Sequence, residues 1–288
     1  MTEAEQLVAE GAELNDAGDA LGAERLYRAA AAADPQWAVP FYNLGLLCKY
    51  QGRWPESLTF NQRAAALAPD DEASWWNLGI AATALGDWSE ARRAWTACDI
   101  TPPPGDGPPR FDWGHTPVRL DPLGHAEVVW AQRLDPARAR IISIPLPWSR
   151  HNFGDIVLND GAPEGHRISN GVEYPVFNVL ALLEPSKHQK FVVELGTADP
   201  ASVEALEDIA YDLGGAVEDW GVSTNILCAQ CSRGTPHEHS NAPAAPAHPH
   251  CGLAALDRGQ AQAILGRWLD EHPQADLIRW YVADATTA

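Results

Sequence analysis

The chain has 288 residues, 39 of them acidic and 20 basic, for a formal net charge of −19. Residues 1–104 hold 7 basic and 15 acidic side chains and the remainder 13 and 24, so both parts are acidic and neither offers the basic face that nucleic acid or an anionic membrane requires. No run approaches the roughly 18 apolar residues of a spanning helix, and the acidic start has no signal-peptide core, so a cytoplasmic protein is expected.

The first third is periodic. Gly11, Gly45 and Gly79 are 34 residues apart, as are Gly18, Gly52 and Gly86, and Pro35, Pro69 and Pro103. Ala23, Ser57 and Ala91 keep the same register, as do Ala30, Ala64 and Cys98. Each unit has two apolar-periodic stretches, 39–51 and 54–67 in the second copy. Gly45 leaves room for a paired helix to approach, Gly52 can take the left-handed conformation that ends a helix, and Pro69 stops the second helix. The third copy is the fullest: Trp75-x-x-Leu78-Gly79, then Ala91, Trp95 and Pro103.

This pattern resembles the tetratricopeptide repeat family, whose unit is a 34-residue helical hairpin, over residues 1–104. The resemblance implies a stacked protein-binding scaffold whose inner face comes from the first helix of each unit. It puts Val8, Tyr42 and Trp76 there, with Ala12, Leu46 and Ile80 one turn on and Lys49 and Tyr50 nearby. The expected partner groove is therefore Tyr42, Leu46, Lys49, Tyr50, Trp76 and Ile80. Some members clamp a peptide's terminal carboxylate with basic and amide side chains; here Lys49 and Asn15 alone offer such chemistry. A groove for an apolar helix or strand of a protein or peptide partner is the expectation.

Residues 101–117, TPPPGDGPPRFDWGHTP, are too rich in proline and glycine for regular structure, and 105–120 reads as a linker. The period then becomes strand-like, at 127–134 and 139–147 around the Asp135-Pro136 turn, and at 154–161 and 173–184. Asn159-Asp160-Gly161 reads as a hairpin turn and Asn170-Gly171 as another. Arg133, Arg138 and Arg140 fit a solvated strand with alternating charge. Further on come a strand at 190–196, a helix at 200–213, a strand at 216–228, a helix at 257–271 and a last strand at 276–284. The fold class expected is α + (α+β): helical-hairpin repeats in 1–104, then a mixed, mostly antiparallel sheet domain in 121–288 with a Cys/His loop.

That loop holds Cys228-x-x-Cys231, then His237-Glu238-His239, and Cys251 later. Two thiolates two residues apart can turn onto one ion, and both imidazoles of H-x-H project to one side of an extended chain. The set Cys228, Cys231, His237 and His239, with Cys251 as the alternate donor, is a soft S2N2 group suited to structural zinc. Four protein ligands fit a stabilising site; three plus water would fit catalysis. Cys48 and Cys98 sit at small-residue positions of the repeats and read as buried free thiols. The leading functional expectation is a protein-binding adaptor with a zinc-stabilised second domain, acting without turnover. The alternative is a zinc-dependent hydrolase or protein-modifying enzyme that recruits its substrate through the repeats. His151, Asp155, Asp160 and His166 are the weaker acid–base candidates, the histidines as exposed loop residues and Asp160 as part of its turn.

Overall fold

The structure is a computed structural model that describes residues 1–124, 126–197, 200–223 and 250–283. Two compact units emerge, one of residues 1–112 with 134–138, the other of 113–133 with 139–288.

The first unit contains three helical hairpins: α1 (Glu3–Asp16) with α2 (Ala20–Ala33), α3 (Ala38–Tyr50) with α4 (Trp54–Leu67), and α5 (Glu72–Ala84) with α6 (Trp88–Ala97). Their local causes are legible. Thr2 forms a capping box with Glu5, and Asp19, Asp71 and Asp87 each accept a backbone N–H in the first turn of α2, α5 and α6. Gly18, Gly52 and Gly86 take φ of +85°, +69° and +69°, the left-handed turn that lets each second helix fold back.

Within each hairpin the glycine sixteen residues before a larger side chain receives it. A Cβ on Gly45 would meet Asn61, and one on Gly79 would meet the Trp95 ring. Neighbouring hairpins are tied by charge as well as packing. Arg53 of the second hairpin donates from Nη1 to Glu24 of the first at 2.6 Å and also pairs with Glu56. The hydrogen bond from Arg53 first, with that from Arg28 at 2.7 Å, holds the Glu24 carboxyl down at about 2 although partial burial opposes it.

The segment Leu134–Arg138 belongs to this unit. Asp135 turns the chain as expected, accepting N–H groups of Ala137 and Arg138 at 2.9 and 2.8 Å. Arg138 is buried: its Nε pairs with Asp135 at 2.6 Å, its Nη2 donates to the Pro109 carbonyl, and its guanidinium stacks over Trp88 at 4.7 Å. The solvated role expected for Arg138 is corrected by this pairing.

The second unit has two sheets. The first is a closed barrel of β1 (His115–Leu120), β2 (Glu127–Arg133), β3 (Arg138–Ile141), β4 (Ile156–Ser169) and β5 (Val172–Glu184) in that order, with β1–β2, β2–β3 and β4–β5 antiparallel and β1 parallel to β5. Val118, Leu120, Val129, Ala131, Ala139, Ile141, Val157 and Val179 form its core. Three sequence expectations change here. The strand β1 begins at His115, inside the span 105–120 read as linker. The strand expected over 139–147 ends at Ile141. Asn159-Asp160-Gly161 makes no hairpin; β4 runs through it with register shifts, and Asp160 is buried. The hairpin is made by Asn170 and Gly171, at φ +50° and +76°, the two positive values a two-residue turn needs.

The second sheet is antiparallel in the order β7-β8-β6-β9, from β6 (Gln189–Thr197), β7 (Ala216–Asp219), β8 (His250–Ala255) and β9 (Asp276–Val282). Helices α7 (Pro200–Asp212) and α9 (Arg258–Glu271) bury Val203, Leu206, Ile264 and Trp268 against Phe191, Val193, Leu195 and Leu253 of the sheet. On the other face Val192 and Ala254 pack with Ile144, Leu146 and Trp220. The strand expected over 216–228 stops at Asp219, where a short helix α8 (Trp220–Ser223) begins. Trp220 is drawn out of strand geometry by its own bond, Nε1 to the Ile144 carbonyl at 2.8 Å. The strand β8 starts at His250.

Candidate binding sites

The expected repeat groove divides in two. Leu46 and Tyr50 line a cavity of about 150 Å³, together with Asn15, Ala20, Tyr27, Asn43, Leu47 and Gln51. Tyr50 is exposed at 58 %, and Tyr42 is half-buried in the same helix and does not line this cavity. Lys49 and Ile80 do not line an open groove, which corrects that part of the expectation. Ile80 has no exposed surface, because α5 is buried continuously from Asn77 to Thr83. Lys49 is 3 % exposed; its Nζ donates to Asn77 Oδ1 at 3.0 Å and lies 4.5 Å over the Tyr50 ring. That lysine therefore ties the second hairpin to the third. Trp76 is half-buried and meets Trp95 edge-on at 5.4 Å. The carboxamides of Asn43 and Gln51 escaped the sequence reading. Their spacing from Tyr50 on and after α3 was the available signal.

A second concave site lies wholly within the second unit. It is a cleft of about 520 Å³ lined by His115, Trp130, Ile142, Ser143, Ile144, Ser169, Tyr174, Ala216, Val217 and Glu218. Trp130 and Tyr174 meet edge-on at 5.0 Å, and Arg167 stacks over Trp130 at 4.9 Å while donating to the Val128 carbonyl. The floor is the extended segment after β3. Glu218 accepts the N–H of Ile144, and Glu127 accepts that of Leu146 at 2.9 Å. Lys190 Nζ donates to the carbonyls of Leu146, Ser149 and His151 at 2.7, 3.0 and 3.0 Å. Burial first, and the Glu218 carboxylate behind it, push the Glu127 carboxyl up to about 7, against the pull of Leu146 N–H, Lys190 and His151. Burial likewise brings Lys190 down to about 8. Irregular backbone is held here by charged side chains from β2, β6 and β7, because it lies outside any ladder.

The acid–base candidates separate. His151 Nδ1 lies 3.5 Å from Asp155, and Asp155 also accepts the N–H groups of Ser186 and Asn152. Both side chains are largely buried, so His151 is not an exposed loop residue. His166 lies on β4 beside Glu173, and Asp160 turns its carboxylate to the N–H of Gly161. The four do not converge on one point.

Of the metal-site candidates, Cys228, Cys231, His237 and His239 lie outside the described residues. Cys251 is described and has the surroundings of a core residue: no exposed surface, packed among Phe191, Leu253 and the α7 and α9 side chains, its thiol pushed up to about 12 by burial first and by Asp219 and Glu207 next. Among the described residues no three Cys, His, Asp or Glu side chains are grouped to hold a metal ion. Among them, too, no helix is long and apolar enough to cross a membrane.

No family model matches the chain, and no curated protein does. Solved structures with similar helical repeats include the second TPR of Spaghetti (RPAP3) bound to the HSP90 peptide SRMEEVD, at 21 % identity and a TM-score of 0.32, spanning 33 % of this chain and 89 % of that one. Another is the TPR2B domain of yeast Sti1 in its pHsp70 complex, at 20 % identity and 0.31, spanning 33 % and 76 %. At such identity and score the likeness carries nothing about what this chain binds.

Proposed function

We propose that this protein is an adaptor whose repeat unit, of tetratricopeptide type, docks an internal segment of a protein partner. The single observation behind this reading is the open cavity under the exposed Tyr50, rimmed by Asn15, Asn43 and Gln51 and floored by Leu46 and Leu47. An aromatic side chain over an apolar floor with amides around it suits an apolar anchor whose flanking backbone is hydrogen-bonded. The net −8 of residues 1–104 favours basic residues beside that anchor. Lys49, engaged with Asn77, is poorly placed to clamp a terminal carboxylate.

The test is selection of peptides from a random library on the full chain, followed by titration of the best binder. Peptides with an apolar anchor flanked by Lys or Arg are expected. Tyr50→Ala should weaken them about tenfold, near 1.4 kcal/mol, while Arg267→Ala, on an exposed face of α9, leaves them unchanged. Equal binding by Tyr50→Ala, or strict dependence on a free terminal carboxylate, would refute the reading.

For the second unit we propose a structural zinc site made by Cys228, Cys231, His237 and His239. Its support is the spacing of these donors, and the core surroundings of Cys251 favour this set over the alternate. Elemental analysis of the purified chain and of Cys228→Ser tests it: one zinc per chain is expected in the first, and substantially less in the second.

A further inference from the structure

The cleft of the second unit has a property that the repeat groove lacks: part of its wall is the edge of a sheet. β7 is the outermost strand of its sheet, bonded to β8 on one side, and no strand among the described residues pairs with its other side. Three of its four residues, Ala216, Val217 and Glu218, line the cleft. An outer strand presents backbone donors and acceptors that can pair with another extended chain.

The chemistry of the walls narrows what that chain carries. Trp130 and Tyr174 supply aromatic surface, and Glu218 supplies a carboxylate whose Oε2 is fixed by Ile144 N–H. Behind it the charge is strongly negative. Burial, then the carboxylates of Asp219, Glu204, Glu218 and Asp208, all raise Glu207 above the usual range. Arg167, stacked over Trp130 and interacting with Glu218, and Lys190 behind the floor offset part of this charge, but five carboxylates outnumber the two cations. An acidic field ending in an aromatic-lined cleft attracts a cation on a long stem.

We propose that this cleft receives an extended segment of a partner protein that adds to the outer edge of β7 and places a lysine or arginine side chain between Glu218 and the Trp130–Tyr174 pair. The site is independent of the repeat cavity, so the adaptor would grip its partners at two places. Because β7 is only four residues long, strand addition alone supplies few hydrogen bonds, and the cationic side chain has to supply much of the affinity.

The test uses the full chain and three probes: the blocked pentapeptide Thr-Val-Arg-Val-Thr, the same peptide with N-methylated backbone amides at both valines, and blocked arginine amide. The readout is the Trp130 indole N–H resonance, assigned with Trp130→Phe. The plain pentapeptide is expected to shift this resonance with a dissociation constant below about 1 mM, some 4 kcal/mol. The N-methylated form should fall to the level of arginine amide, at least about fivefold weaker.

Glu218→Gln still accepts from Ile144 but has lost the charge. It should weaken the pentapeptide about fivefold or more while its thermal melt matches the wild type. Replacing the central Arg by Glu should abolish binding. Equal binding of the plain and N-methylated peptides overturns strand addition and leaves a small-cation site. Equal binding by Glu218→Gln, or by the Glu peptide, overturns charge recognition. No shift with any probe up to about 10 mM overturns the whole proposal.

Discussion

Replacing Gly79 by alanine puts one methyl where the structure has no room for it. A Cβ there would stand 2.4, 2.5 and 2.7 Å from Cη2, Cζ3 and Cζ2 of the Trp95 ring, where carbon atoms ordinarily keep about 3.5–4.0 Å. The ring cannot swing away: Trp95 has no exposed surface and is braced edge-on by Trp76 at 5.4 Å. The helices α5 and α6 must therefore part by about an ångström. Overpacking of this kind costs about 1–3 kcal/mol, and the size of the overlap puts it near 3. Alanine's better helix propensity returns about 1 kcal/mol, so the net loss is about 2. For a unit of this size that is about 10 °C in melting temperature.

Differential scanning calorimetry of the full chain measures it, with Gly266→Ala in α9 as the control. A Cβ on Gly266 meets nothing within 4 Å, so there the same change should stabilise by about 0.5–1 kcal/mol. If Gly79→Ala melts at or above the wild type, close packing at the glycine is not what holds the hairpin. Gly11 against Tyr27 and Gly45 against Asn61 would then not hold their hairpins by close packing either.

Glu127 makes stability depend on pH. Its folded value of about 7 lies above the unfolded carboxylate value, so the native state binds the extra proton, and stability falls as pH rises from about 4.5 to 7, by up to about 3 kcal/mol. Glu127→Gln keeps an acceptor for Leu146 and should flatten that slope in urea titrations at pH 5 and 8; an unchanged slope would exclude Glu127 as its source. Arg138→Met leaves Asp135 buried and without its ion-pair partner and should cost about 3–5 kcal/mol. Adding Asp135→Asn should recover part of the loss in a double-mutant cycle, and strict additivity would deny the coupling. Burial pushes the thiols of Cys48 and Cys98 up to about 11 and that of Cys251 to about 12. A disulfide reagent at pH 8 should therefore find none of these three in the native protein, and should reach Cys228 and Cys231 only after a chelator is added. Three or more reactive thiols without denaturant would contradict the burial, and two reactive thiols before chelation would contradict the zinc proposal.

The helical hairpins were written in the sequence because their causes are local and repeated. A glycine that must admit a neighbour and a glycine that must turn left-handed recur at fixed spacing, as Gly79 and Gly86 do in the third copy, and an aspartate caps the second helix of the first and third copies, Asp19 and Asp87. The Asn170-Gly171 turn was legible for the same reason, since two positive φ values in succession suit few other pairs. Asn159-Asp160-Gly161 carries similar chemistry and became a bulged strand, because pairing of β4 with β5 along their whole length outweighed a local turn preference. Only the tertiary structure decided that Lys49 is a brace for Asn77, that Cys251 is core, and that Glu127, Glu218 and Lys190 meet around one irregular segment. Those three charged residues are 28 to 91 positions apart in the chain. No period or motif links them; the closing of a barrel and the stacking of a second sheet bring them together, and burial then sets their charge.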